Sequence, residues 1–447
     1  MNVNNYPRIL IFGQPFNHYS GGGITLTNLF KGWPQNKIAV TATGHVLQKT
    51  TTDICRTYYQ LGKDEQRWVF PLNLIQRSFP SGLISFDTRD SVSMAASKSY
   101  PRQIIVDKLF FPFMHWIGLF HCLSKTSLSP KFKDWLSEYH PEVLYIQVST
   151  REEILFSIQL HDYLKLPTII HMMDDWPSTI SKKSLLRNYW SKKIDGEFRK
   201  LLERVDQYLS ISNAMSSEYR RRYSKTFEAF HNPIDISKYN HTLITRTNQH
   251  ETFRVLYIGR IGLANKNSIS LFSRAISSYS FDNLNVTLDI FTNNHESRES
   301  KKIAGLNNIT IRPPVKHEEI PTLLKQYDLL LLPLDFTETG LKFARYSIPT
   351  KASEYMISGT PILVFAPEET AISKFCAENN CAYCLTNQSD EDIIKAVKYI
   401  VGNNSYRNKI SNNAKRIAQK LFDEDNVRKK FQHLIITSIK TENHVYK

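Results

Sequence analysis

The chain has 447 residues, two or three domains at about 150 residues each, and 41% of them are apolar, which excludes collagen, coiled-coil and disordered classes. Its 57 Lys and Arg against 42 Asp and Glu leave a net charge of +15. That excess predicts attraction to phosphate in some form: nucleotide, nucleic acid or an anionic membrane surface.

In chain order, Arg8–Phe12 reads as a short buried strand ending at Gly13. A loop through Gly21, Gly22 and Gly23 leads into a helical pattern over Ile24–Trp33, and Lys37–Thr41 is the next strand. Glu142–Gln147 forms another, followed by a helix with apolar residues at Ile154, Leu155, Ile158 and Leu160. Pro167–His171, Asp206–Ile211 and Phe227–Phe230 complete a first set of strands. Polar residues without period run from Asn240 to Thr252 and read as a linker. Phe253–Ile258 then restarts the pattern, and Asn285–Phe291, Ile309–Arg312, Asp328–Pro333 and Pro361–Phe365 supply further strands. Strands alternating with helices, several lacking polar alternation, indicate parallel sheets covered on both faces. The expected fold is α/β: two Rossmann-like doubly wound domains facing a cleft, the first over 1–240 and the second over 241–425. Residues 426–447 read as a closing helix packing back on the first. Ligands of such sheets sit beyond the carboxyl ends of the strands.

Five cysteines, Cys55, Cys122, Cys376, Cys381 and Cys384, are too few for a disulfide framework and point to a reducing compartment. Cys381 and Cys384 form a CxxC with no second pair nearby to complete a zinc site, so a chance pair in a buried strand is the better account. The first residues lack the charged and apolar regions of a secretory signal, and no run reaches 18 apolar residues. A cytoplasmic protein is expected.

Several motifs now align with a known family. Gly259-Arg260 at the end of a strand, with Lys266 soon after, resembles the basic pair that holds the donor diphosphate in GT-B glycosyltransferases. Ser347–Ile362, containing Thr350 and Glu354, resembles their loop-helix-turn-strand signature, as do Glu319–Pro333 and Asn232–Asp235. Gly21–Gly23 and Thr168–Trp176 fall where family-four-type members carry a glycine loop and a donor-side histidine. The resemblance covers most of the chain outside about residues 50–135, and five motifs in order outweigh any one of them. It implies a glycosyltransferase of the group 1 type, acting with retention at the anomeric carbon. The C-terminal domain would grip the nucleotide-sugar, as a co-substrate with no further cofactor. The N-terminal domain would take a carbohydrate or lipid-linked acceptor, in cell-surface polysaccharide synthesis.

Each position has its own physical argument. Negative charge builds on the leaving diphosphate, and Arg260 with Lys266 would neutralise it without a metal, ordinary surface charge being the alternative. Gly22 and Gly23 permit close backbone approach to a phosphate, or form a plain flexible turn. Thr350 precedes a helix whose N-terminal amides would receive the same diphosphate, and family members hold the nucleotide ribose with a carboxylate at the place of Glu354. A capping role is the alternative for Glu354. His171 would hydrogen-bond a donor-sugar hydroxyl, or simply be a satisfied core histidine. Asp174 and Asp175 lie in a turn, with Asp175 a candidate general base and helix capping its alternative. No residue separates the two acids, so a DxD metal site is not supported.

Two departures from the family pattern stand out. Tyr346 occupies the place of a second glutamate, and Thr292-Asn-Asn294 replaces a glycine-rich turn. Tyr346 leaves room for a nucleotide-sugar epimerase of the same fold. A basic nucleic-acid-binding protein is the non-enzyme alternative, against which the aromatics do not interleave with Lys and Arg as a stacking platform requires. The positive charge is uneven: residues 181–225 hold 12 basic residues against 5 acids. The aromatic stretch 104–120, interrupted by Asp107, Lys108 and Pro112, reads either as an interfacial segment beside anionic headgroups on the inner face of the membrane or as a buried helix.

Overall fold

The computed structural model describes residues 6–44, 46, 47, 50–70, 72–74, 76, 79–84, 86, 106–180, 184–240, 252–281 and 284–442. The chain forms two compact units, Met1–Phe230 with Arg428–Lys447, and His231–Val427. The division therefore falls ten residues before the expected boundary at 240. The reason is that Ile234 and Tyr239 are buried in the core of the second unit, and Ile234 bridges in parallel to Asp423. Most of the expected linker, residues 241–251, lies outside the described residues.

The strands of the first unit are β1 (Ile9–Phe12), β2 (Ile38–Thr43), β3 (Thr57–Leu61), β4 (Gln66–Trp68), β5 (Gly82–Leu83), β6 (Ser124–Thr126), β7 (Val143–Ile146), β8 (Thr168–Met172), β9 (Gln207–Ser210) and β10 (Glu228–Ala229). Eight form one sheet in the order β10-β9-β8-β7-β1-β2-β3-β5, parallel except for β5, while β4 and β6 form a separate antiparallel pair. β1 (ILIF), β7 (VLYI) and β8 (TIIHM) are buried at every residue, as a parallel sheet covered on both faces requires. The strand order reverses between β1 and β7, so the crevice of this sheet opens where Gly13 and Gln147 follow those strands.

The glycines 21–23 are not a loop: they are the first turn of helix Gly21–Phe30. Ser20 caps that helix, its Oγ accepting from the Gly23 amide, a bond worth about 1 kcal/mol that offsets part of the poor helix propensity of the three glycines. Ser129, Thr150 and Ser212 cap helices Pro130–Tyr139, Arg151–Leu164 and Asn213–Tyr223 in the same way. The aromatic stretch resolves into a π-type turn over Val106–Phe110 and a helix over Phe111–Ile117, with Met114 buried but Phe113 and Trp116 exposed. Helix Glu424–Glu442 begins in the second unit, and from Arg428 onward it belongs to the first. There Phe431 is fully buried, its ring against those of Phe30, Tyr145 and Phe230.

The second unit carries β11 (Thr252–Ile258), β12 (Asn285–Phe291), β13 (Ile309–Arg312), β14 (Leu329–Pro333), β15 (Ile362–Phe365) and β16 (Tyr383–Leu385). They form one wholly parallel sheet in the order β13-β12-β11-β14-β15-β16. Its reversal lies between β11 and β14, beyond whose ends stand Gly259-Arg260 and Asp335. Two apolar clusters, one on each face, hold helices Lys266–Ser278 and Asp390–Gly402 on one side and Lys351–Ser358 and Asn404–Leu421 on the other. Both units are thus Rossmann-like. Among the described residues no helix is long and apolar enough to cross a membrane, and all five cysteines are free.

Candidate functional site

The second unit gathers Arg260, Lys266, Thr350 and Glu354 around the reversal point of its sheet. The main chain leaves β11 through Gly259 at φ 139°, a left-handed conformation that favours glycine, and a Cβ there would lie 2.4 Å from Lys351 Nζ. Lys351 donates to the Ile258 carbonyl at 2.8 Å and sits over the Tyr257 ring, 4.1 Å from its centroid. The Tyr355 hydroxyl accepts from the Ile258 amide at 3.0 Å. These three contacts pin the end of β11, and with it the exposed Arg260, to the helix that carries Glu354.

Lys266 opens helix Lys266–Ser278, as its position after the glycine turn predicts. The fully buried Asp335 binds that helix from β14, accepting from the Ser268 amide at 2.8 Å and from Asn267 Nδ2 at 2.9 Å. The amides of that end are therefore partly satisfied within the chain. By contrast, no side chain caps helix Lys351–Ser358, whose N-cap is Thr350. Thr350 is fixed instead by its carbonyl, which accepts from Asn232 Nδ2 at 3.5 Å and from Ser353 Oγ at 3.1 Å. The Thr292–Asn294 turn has a structural use. Asn294 Oδ1 accepts from the Ile261 amide at 3.2 Å and its Nδ2 donates to the Ile261 carbonyl at 2.8 Å, so it clasps the residue after Arg260 from both sides.

Burial lowers the Lys351 ammonium to about 7 and raises the Glu354 carboxyl to about 7, each opposing part of the other's shift. His317 Nδ1 stands 3.8 Å from Glu354 Oε1. Lys351 was not singled out from the sequence. Its one legible signal was a lysine at the first turn of a helix, where a cation opposes the helix dipole and so needs another reason to be there.

The first unit holds Gly22, Gly23, His171 and Asp175. A Cβ at Gly22 would approach Gln14 Oε1 to 3.1 Å, and one at Gly23 would collide with the Asn17 side chain at 2.1–2.3 Å. His171 lies inside β8, 1% exposed, with Nδ1 2.6 Å from the Tyr145 hydroxyl. Burial pushes the Tyr145 phenol up and keeps it neutral, and the direction of its bond to Nδ1 follows the imidazole tautomer. Burial also holds the His171 imidazole down at about 3, the Ser210 backbone offsetting only part of the shift. Nε2 has no partner in hydrogen-bond geometry, nor does the buried Gln147 Nε2 at the end of β7. His171 is therefore a neutral imidazole and a poor base at neutral pH.

Asp175 is placed differently from the expectation of a general base. It is 3% exposed, and its two oxygens accept from Arg222 Nη1 and Nη2, each at 2.8 Å. The Tyr219 hydroxyl at 3.1 Å and Ser178 Oγ at 2.7 Å complete its shell. Arg222 bonds Glu218 at 2.5 Å as well. Through the bidentate guanidinium and the Tyr219 hydroxyl, Asp175 ties the turn after β8 to helix Asn213–Tyr223. Among the described residues no three His, Cys, Asp or Glu side chains are grouped to hold a metal.

Residues 252–403, from β11 to the helix after β16, match the model described as Glycosyl transferases group 1. This stretch is similar to the glycosyl transferases group 1 family, and the rest of the chain lies outside the match. Its match contains Arg260, Lys266, Thr350, Lys351 and Glu354. The whole chain has the fold of solved GT-B glycosyltransferases. Sucrose-phosphate synthase from Thermosynechococcus elongatus superposes with TM-score 0.62 at 12% identity, over 97% of this chain and 99% of that one. HepE from Anabaena, solved with UDP and glucose, gives TM-score 0.62 at 12% identity over 97% and 100%. WaaG, described as a glycosyltransferase involved in lipopolysaccharide biosynthesis, gives 0.55 at 10% over 96% and 99%. No curated protein sequence matches the chain.

Proposed function

We propose that the protein transfers a sugar from a nucleotide-sugar to a hydroxyl of a glycan or lipid-linked acceptor, with Arg260 and Lys266 neutralising the departing diphosphate. The observation that carries this reading is the anchoring of the Arg260 loop to the Lys351–Glu354 helix within the group 1 match. Two cations at the ends of a strand and a helix do the work of a metal ion, so the reaction is metal-independent in this proposal. The uncapped amides after Thr350 receive a phosphate oxygen, and Glu354 accepts from the ribose hydroxyls. In the first unit, the buried His171 Nε2 and Gln147 Nε2 are offered to a sugar hydroxyl, and Gly22 carries no side chain beside Gln147. Retention at the anomeric carbon and a place in cell-surface polysaccharide synthesis belong to the same proposal. Two structural neighbours lend support by name to the donor class and the pathway: HepE was solved with UDP-glucose, and WaaG is described as involved in lipopolysaccharide biosynthesis.

A thermal-shift screen of UDP-, GDP-, ADP- and TDP-sugars tests the reading. A ligand at 100 times its Kd raises stability by about 2.7 kcal/mol, and one base is expected to stand out. No shift with any of the four, or wild-type turnover by Arg260→Ala, would remove the assignment. Release of an epimerised nucleotide-sugar without acceptor would replace transfer by epimerisation.

We also place the protein on the inner face of the cell membrane as a peripheral protein. Phe113, Trp116, Leu185 and Tyr189 are each more than half exposed, and the Leu185 amide donates to the Trp116 carbonyl at 2.8 Å, so the two segments form one apolar patch. Lys108, Arg187, Lys192 and Lys193 are exposed in the same two segments. Such a mixture suits an anionic interface. Flotation with anionic but not neutral liposomes at low salt is expected, and equal behaviour with both would end the idea.

A further inference from the structure

A cavity of about 590 Å³ lies wholly within the first unit, at the carboxyl ends of β1, β2 and β3 and the start of helix Arg151–Leu164. That is the volume of an organic ligand, not of a packing fault. Its walls are apolar: Phe12, Leu61, Trp68, Phe111, Phe120 and Phe156. Polar groups line it where helix Arg151–Leu164 starts, through Ser149, Thr150, Glu152 and Glu153.

These carboxylates have different duties. Glu65, also in the wall, is 1% exposed and accepts from Ser81 Oγ and Ser129 Oγ at 2.5 Å and from the Gly62 amide at 3.0 Å, so it is part of the scaffold. Glu153 closes the capping box, its Oε2 accepting from the Ser149 amide at 2.6 Å and the Thr150 amide at 3.1 Å. Glu152 is different: no other residue among those described hydrogen-bonds its carboxylate, which nevertheless stands in the wall of an apolar cavity. Burial raises the Glu152 carboxyl above its usual range. Ser124 Oγ, in the same wall, is buried without a partner. An uncommitted carboxylate and hydroxyl in an otherwise apolar cavity are costly unless something bonds to them.

We propose that this cavity is the acceptor pocket and that it takes an amphiphile, an apolar body between the aromatic walls with a hydroxylated head bonded to Glu152. The head is a neutral hydroxyl or sugar: Glu152 and Glu153 would repel a phosphate, and the cation in the wall, Lys63, is exposed to water. The apolar body is favoured by the walls and by the segment that supplies them. Phe111 and Phe120 face the cavity while Phe113, Trp116 and Leu119 of the same stretch are exposed, so one short segment provides both the inner wall and an outer apolar surface. The inference rests on the glycosyltransferase reading above for the word acceptor, and on the cavity alone for the amphiphile.

Calorimetric titration with octyl β-D-glucoside below its micellar concentration, glucose and octyl phosphate tests it. Octyl glucoside is expected to bind at least about 100-fold more tightly than glucose, since burying a few methylenes suffices for that. Leu61→Trp and Ser124→Phe, which fill the cavity from two sides, should each weaken octyl glucoside at least tenfold. Ser124→Phe starts from a partly exposed strand residue, so it carries the test if the core substitution fails to fold by circular dichroism. Glu152→Gln should narrow the preference for octyl glucoside over octyl phosphate. Equal affinity for glucose and octyl glucoside, or unchanged binding in a folded filled variant, overturns the proposal. A nucleotide-sugar screen on the same sample separates the two readings. Nucleotide-sugar shifts without amphiphile binding overturn the pocket alone, whereas amphiphile binding without any such shift overturns its role as an acceptor site together with sugar transfer.

Discussion

The Asp175–Arg222 pair decides between a catalytic and a structural carboxylate, and substitution at either end separates the two. Arg222→Met strands a carboxylate that is 3% exposed and loses two bonds of 2.8 Å. Removing one partner of such a pair costs about 3–5 kcal/mol. For a unit of this size, each kcal/mol lowers the midpoint by about 2–4 °C, so the first unit should melt about 6–20 °C lower. Asp175→Asn is milder, because Arg222 keeps Glu218 at 2.5 Å and the Tyr219 hydroxyl keeps an acceptor. Its expected cost is about 1.5–3 kcal/mol, the worth of a hydrogen bond to a charged group. Calorimetric melting with initial-rate assays of transfer then reads both quantities on each variant. If Asp175 is structural, Asp175→Asn lowers the melting temperature and leaves turnover within a few fold of wild type. A variant that melts like wild type but loses 100-fold or more in turnover would refute the reasoning and restore the general base.

Arg260→Ala should leave the melting temperature within about 2 °C, since the residue is exposed, while turnover falls about 100- to 1,000-fold. The Lys351–Glu354 pair should give the second unit a stability minimum near pH 7. Glu354, raised in the fold, contributes stability that is present below about 4.5 and lost as pH rises to about 7; Lys351, lowered in the fold, contributes stability present above about 10.5 and lost as pH falls to about 7. Urea melts across pH should show Glu354→Gln removing the acid limb and Lys351→Met the alkaline one; a flat profile in the wild type would contradict this. Gly23→Ala places a Cβ within 2.1 Å of Asn17, whose Oδ1 also accepts from the Ser20 amide, and should cost about 1–3 kcal/mol by denaturant titration.

Much of the fold was legible because its central strands are uninterrupted apolar runs. β1, β8 and β14 stand within a residue or so of where their sequences put them, since a strand buried on both faces carries no other signal. β3, with Gln60 buried within Thr57–Leu61, escaped notice because it shows neither an apolar run nor an alternation. Gly21–Gly23 read as a loop because glycine punctuates chains, although Ser20 three residues before Gly23 was the cap that starts a helix. In the second unit Arg260, Lys266, Thr350 and Glu354 were legible as ordered motifs, and the structure brings them to one end of the sheet. In the first, the fate of Asp175 hung on Arg222, 47 residues away, and nothing local in the sequence announces such a partner. By sequence the acids of Arg151–Leu164 are ordinary first-turn charge, and only the cavity singles out Glu152.

Phe431 bears on the order in which the nascent protein acquires structure. Phe30, Tyr145 and Phe230 pack on a ring that the ribosome adds some two hundred residues after the last of them. Residues 231–427 therefore emerge complete and able to collapse while the earlier stretch still lacks a piece of its interior. The amino-terminal half must wait, exposing apolar side chains during synthesis, and chaperone capture should fall at that stage.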